Sequence, residues 1–164
     1  MRVLVTTASK HGSTEEIGRF IGEVFLEQGI EIGVLPPEDV ISLHRYDAVI
    51  MGSAVYAGHW MNSMKKMAHR LAPELIDRPV WLFSSGPIGD PPKPNEEPVD
   101  VAPLVEATGA RGHALFAGTL DKDVLGFAEK AIVAAFKAPD GDFRDWEEIR
   151  GWASGIAQEL KTKV

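Results

Sequence analysis

The chain has 164 residues, 45% of them apolar, and a formal net charge of −7. That length and composition suit one domain, residues 1–164, with a full hydrophobic core. Zero cysteines exclude disulfides, thiolate metal sites, iron–sulfur clusters and cysteine catalysis, and the acidic balance argues against a nucleic-acid partner.

Val3, Leu4 and Val5 form a short apolar run that reads as a buried strand. Behind it, Ile17, Phe20, Ile21, Val24 and Phe25 recur at the spacing of one helix face. Between the two lies Thr7-Ala8-Ser9-Lys10-His11-Gly12-Ser13-Thr14. The first amides of a helix have no intrahelical partner and, with the positive end of the dipole, make a site for a phosphate group. Gly12 lets the backbone approach closely, and Ser9, Ser13 and Thr14 add hydroxyls. A plainer reading has Ser13 or Thr14 capping the helix, with Glu16 completing a capping box. Capping alone leaves the crowding of hydroxyls unexplained. The loop is not a Walker A motif, because Lys10 precedes Gly12, and it lacks the Gly-x-Gly-x-x-Gly fingerprint.

Ile30–Leu35 follows as a second strand, closed by Pro36-Pro37, and Tyr46–Met51 as a third, apolar enough to be buried on both faces. The next loop reads Gly52-Ser53-Ala54-Val55-Tyr56-Ala57-Gly58-His59-Trp60. Glycine and alanine keep its backbone low, while Tyr56 and Trp60 offer flat surfaces for a planar ring. Trp60 reads equally well as core beneath the following helix. His59 reads as a solvated loop residue or helix cap rather than a catalyst.

A helix over Met61–Leu71 leads to a fourth strand, Pro79–Phe83, and then to Ser84-Ser85-Gly86-Pro87-Ile88-Gly89-Asp90. There Ser85, Gly86 and Gly89 leave backbone groups open to the polar edge of a heteroaromatic ring; a plain turn is the other reading. Pro87, Pro91, Pro92, Pro94 and Pro98 make residues 86–100 an irregular loop. A short helix over Val101–Thr108, a fifth strand over His113–Ala117, and helices over 122–137 and 145–161 complete the chain. In the first of these helices Val124, Leu125, Ala128, Ala131, Ile132, Ala135 and Phe136 trace one face. Phe127 and Val133 lie off it, covered by a neighbouring element or forming a docking surface for a partner, a second subunit or a membrane edge.

His11, His44, His59, His69 and His113 show no ligand-like pairing, so no metal is expected. The acids Asp140, Asp142, Asp145, Glu147 and Glu148 are explained by the dipole of the helix they precede. No apolar run reaches membrane-spanning length and no cationic leader precedes the first strand. A cytoplasmic protein without an integral membrane segment is expected.

Strands alternating with helices imply a parallel sheet covered on both faces, a three-layer α/β sandwich. Five strands with this alternation favour the order 2-1-3-4-5, with the ligand crevice at the carboxyl ends of strands one and three. Right-handed crossovers bring residues 7–14, 53–60 and 84–90 to one edge. Thr6-Thr7 and Met51-Gly52-Ser53 stand where a phospho-acceptor protein of this topology needs acids.

On these residues the chain resembles the flavodoxin-like proteins, and the resemblance implies flavin mononucleotide (FMN) as cofactor. Ser9, Gly12 and Thr14 match the family's Thr/Ser-x-Thr-Gly-x-Thr phosphate loop, with His11 in place of one hydroxyl. The implied phosphate set is Ser9, Lys10, His11, Gly12, Ser13 and Thr14. The implied ring set is Ser53, Ala54, Val55, Tyr56, Ala57, Gly58 and Trp60, with Ser85, Gly86 and Gly89 at the ring edge. Within the superfamily the chain is most similar to the quinone-dependent protoporphyrinogen oxidases. Tyr46-Asp47-Ala48-Val49-Ile50-Met51-Gly52, Gly58-His59-Trp60 and Asp145-Trp146-Glu147-Glu148 carry that likeness. Residues 119–144 are shorter and mixed in charge where the oxidases carry a longer basic and aromatic insertion, and Tyr56 stands at a basic position.

The primary expectation is therefore an FMN-binding electron-transfer protein. The alternatives are an oxidase passing electrons from a porphyrinogen to a quinone, and a domain that keeps the fold without catalysis. The partners implied are a redox protein, a quinone or other small molecule, or a second copy in a homodimer. No catalytic side chain is expected, because a flavin carries its own redox chemistry.

Overall fold

Strand β1 (Arg2–Ala8) is buried without interruption from Val3 to Ala8, as a central parallel strand must be when helices cover both of its faces. The computed structural model describes residues 1–10, 12–56, 58–86, 98–117, 119–120, 141–142 and 144–162. The helix expected over 122–137 lies outside these residues, as do His11, Ala57 and Gly89.

After β1 come α1 (Ser13–Glu27), β2 (Glu31–Leu35), a single 3-10 turn (Pro37–Asp39) and β3 (Ala48–Tyr56). Then follow β4 (His59–Trp60), α2 (Asn62–Arg70), α3 (Ala72–Leu75) and β5 (Val80–Ser85). The chain continues through α4 (Val101–Thr108), β6 (Gly112–Phe116), β7 (Thr119–Leu120), β8 (Gly141–Asp142) and α5 (Trp146–Thr162). Asp145 caps α5, its Oδ1 accepting the Glu148 N–H at 3.1 Å.

The principal sheet runs β2-β1-β3-β5-β6, with all four neighbouring pairs parallel. This is the expected order, β5 and β6 being its fourth and fifth strands. The short β4 adds an antiparallel rung pair to the end of β3, and β7 pairs with β8 apart from this sheet.

Alternate β1 side chains point to opposite faces, and two apolar layers result. Val3 and Val5 pack with Ile17, Ile21 and Phe25 of α1 and Ile149 and Ile156 of α5. On the other face, Leu4 packs with Met64 and Met67 of α2 and Leu104 of α4.

Strand β3 differs from expectation. It runs from Ala48 through Tyr56 rather than stopping at Met51, so Ser53, Ala54, Val55 and Tyr56 are strand residues. Gly52 looks like a loop glycine but serves packing. It lies opposite Phe83 in the β3–β5 register, and a Cβ placed there would stand 2.1 Å from the Phe83 ring.

Candidate functional site

The carboxyl ends of β1, β3 and β5 lie side by side, with Ala8 opposite Ser53 and Ala54 opposite Ser85. This is the point where the strand order reverses, the usual ligand crevice of a doubly wound sheet.

Helix α1 starts from Gly12, held at φ +88°, a left-handed conformation that glycine adopts without strain. No side chain among the described residues caps this helix. Ser9 Oγ accepts the Gly12 N–H at 2.9 Å, and Gly12 O accepts the Glu16 N–H at 3.1 Å. The expected capping box is not formed. Glu16 turns instead to Arg144, whose Nη1 lies 2.6 Å from Glu16 Oε2, and the Arg144 guanidinium sits 4.8 Å from the centroid of the Trp146 ring.

Ser13 Oγ and Thr14 Oγ1 are buried and have no hydrogen-bond partner among the described residues. Thr14 is 1% exposed. A buried polar group left unsatisfied costs about 1–3 kcal/mol. An anion that accepts from these hydroxyls and from the uncapped amides of the first turn removes that cost. A Cβ at Gly12 would meet no described atom within 4 Å, so the space over the helix start is open. The donor set fits a phosphate group.

A second part of the crevice is the hairpin of β3 and β4, in which Val55 pairs with Trp60 and Tyr56 with His59. Gly58, at φ +81°, makes the turn. Ser53 is fully buried; its Oγ accepts the Met61 N–H and donates to Ala54 O, both at 2.9 Å. Its hydroxyl shapes the backbone at the root of the hairpin. Trp60 is 2% exposed and packs in the core beside Met64 and Met67 of α2. Its Nε1 donates to Ser84 Oγ at 2.8 Å, and Ser84 Oγ lies 2.7 Å from His113 Nε2. Tyr56, half-buried at the end of β3, is the hairpin's other aromatic. At the neighbouring strand end Ser85 is buried, and the Gly86 N–H is engaged by Phe116 O at 3.1 Å rather than left open.

Sequence reasoning missed Asp100. Its Oδ2 accepts the Trp60 N–H at 3.0 Å and lies 3.1 Å from His59 Nδ1 and 3.3 Å from Lys65 Nζ. Burial raises the pKa of this carboxyl, but the Trp60 N–H, His59 and Lys65 outweigh it and hold the group below the usual carboxylate range. Ser84 as the partner of Trp60, and His113 as the partner of Ser84, were also missed, since no local pattern joins residues so distant in the chain.

A cavity of about 310 Å³ adjoins the first loop on the β2 side of β1, lined by Ser9, Arg19, Pro36 and Met61 among others. Among the described residues no group of three or more His, Asp or Glu could hold a metal, and no helix is long and apolar enough to cross a membrane.

The chain is a doubly wound α/β protein with an uncapped, hydroxyl-rich helix start at the switch point of its parallel sheet. The chain belongs to the flavodoxin-domain family, whose model matches residues 4–146. Among curated proteins none matches it in sequence.

Solved structures show the same fold. A flavodoxin from the domain Archaea is 18% identical with a TM-score of 0.66, covering 98% of this chain and 99% of its own. Oxidised flavodoxin 1 from Bacillus cereus is 17% identical with a TM-score of 0.63, covering 96% and 98%. Rubredoxin oxygen:oxidoreductase from Desulfovibrio gigas is 18% identical with a TM-score of 0.61, covering 99% of this chain and 36% of that one.

Proposed function

We propose that this chain binds FMN and transfers electrons through it between redox partner proteins. The observation that carries the reading is the pair of buried, unpartnered hydroxyls on Ser13 and Thr14 at the uncapped start of α1. Membership of the flavodoxin-domain family supports the choice of flavin over other phosphate-bearing ligands.

In this reading Ser9, Lys10, Gly12, Ser13 and Thr14 surround the phosphate. Ser53, Ala54, Val55, Tyr56 and Gly58 form one wall of the ring site, and Ser85 and Gly86 form its edge. Tyr56 supplies the stacking face, while Trp60 supports the hairpin from the core. His11, Ala57 and Gly89 complete the proposed set from outside the described residues.

Bound flavin supplies one- and two-electron redox chemistry. The chain's own residues bind it, orient it and shield one face from water, and no acid–base pair is required. The comparisons lend no support to a porphyrinogen substrate, a quinone acceptor or a homodimer, and electron transfer is the reading retained. The test is to prepare apoprotein and titrate it with FMN and with riboflavin. Tighter binding of FMN than of riboflavin supports the phosphate assignment, and equal affinities contradict it.

A further inference from the structure

One carboxylate oxygen, Asp100 Oδ2, gathers the Trp60 N–H at 3.0 Å, His59 Nδ1 at 3.1 Å and Lys65 Nζ at 3.3 Å. Beside it, the Val99 N–H donates to Gly58 O at 3.1 Å. The β3–β4 hairpin is thus tied at three successive residues, Gly58, His59 and Trp60, to the segment that leads into α4. It needs the tie, because two antiparallel rungs are marginal by themselves.

Asp100 also gives something up. It stands at the N-cap of α4, where an aspartate ordinarily accepts a bond from the first turn. No side-chain cap bond is formed there among the described residues. The carboxylate, 19% exposed, is turned to the hairpin instead, where its bonds are charge-assisted.

We propose that Asp100 is the positioning residue of the ring site, holding the 56–60 hairpin so that Tyr56 lies against the flavin. This rests on the FMN reading above. Asp100 touches no cofactor and acts through the Trp60 amide and the turn at Gly58.

The test titrates wild type, Asp100→Ala and Asp100→Asn with FMN and with riboflavin, following flavin fluorescence. Asp100→Ala is expected to weaken both ligands by one common factor, about tenfold for the loss of a charged hydrogen-bond acceptor. Bound flavin should become more fluorescent, and the ratio of riboflavin to FMN dissociation constants should stay unchanged. Asp100→Asn keeps an oxygen for the Trp60 N–H and should restore quenching and most of the affinity. Should Asp100→Ala fail to fold, Lys65→Met removes one donor and should give a smaller loss of quenching. Wild-type quenching in Asp100→Ala, or in Lys65→Met where that is the variant measured, overturns the assignment. So does Asp100→Asn as impaired as the alanine variant. Wild-type protein that takes up neither ligand overturns the FMN reading itself, and the positioning role falls with it.

Discussion

The indole N–H of Trp60 donates to Ser84 Oγ at 2.8 Å, joining the base of the β3–β4 hairpin to the carboxyl end of β5. An indole only donates, so the Ser84 oxygen accepts, and the same oxygen lies 2.7 Å from His113 Nε2. Trp60→Phe keeps an aromatic ring in the core but removes this donor. The variant should lose about 1–2 kcal/mol of stability, read from denaturant unfolding. Its quenching of bound flavin should remain, because in the proposed site the stacking surface is Tyr56. Tyr56→Ala should show the opposite pattern, brighter flavin with little loss of stability.

Thr14 separates stability from binding. Its hydroxyl is buried without a partner among the described residues, so Thr14→Val removes an unsatisfied polar group at nearly constant volume. The apoprotein should gain about 1 kcal/mol, while FMN binding should weaken at least about tenfold through the loss of a hydrogen bond to a charged group. Thermal unfolding of the apoprotein and an FMN titration check the two halves separately. A variant that loses stability and keeps its FMN affinity would show that Thr14 is ordinary core.

Gly52→Ala should destabilise the sheet. The new methyl would fall 2.1 Å from the ring of Phe83, itself fully buried. Overpacking of this kind costs about 1–3 kcal/mol, measured as a shift of the denaturant midpoint at unchanged slope.

Gly52 also shows where sequence reading stops. The run Tyr46–Met51 announces a buried strand through its apolar residues, but Gly52-Ser53-Ala54 carries no strand signal. The strand continues because Phe83 on β5 occupies the space of the missing side chain, a fact of pairing rather than of local propensity. Strand β4, only His59 and Trp60, is too short for any periodicity to reveal. The strand order itself was legible, since alternating apolar runs and helix faces admit few right-handed arrangements. The hydroxyls of the first loop were legible as a cluster. That Glu16 leaves the capping box for Arg144 was not, because the two are separated by most of the chain. Asp100 was invisible for the same reason: its partners come from the hairpin and α2.

Acid should act partly through Asp100. Its folded pKa lies below the usual carboxylate range, so the unfolded chain binds the proton more readily. The stabilisation is fully present above the unfolded carboxylate pKa and is lost as pH falls through the folded one. Asp100→Asn lacks this dependence. The stability difference between wild type and variant should therefore be largest near neutrality and shrink as pH falls below the carboxylate range. Denaturant unfolding at a series of pH values checks it, and a difference independent of pH would contradict it.

In the proposed site the phosphate of FMN completes the donors offered by the Ser9, Ser13 and Thr14 hydroxyls and the uncapped first-turn amides of α1. The most direct measurement is titration of apoprotein with FMN, in parallel with Gly12→Val. Wild type should take up one FMN per chain at micromolar concentration, quench its fluorescence and bind riboflavin more weakly. Gly12→Val, with a branched side chain in the open space over the helix start and at a φ of +88°, should lose that preference for FMN. Apoprotein that is folded and takes up no FMN at these concentrations would contradict the account.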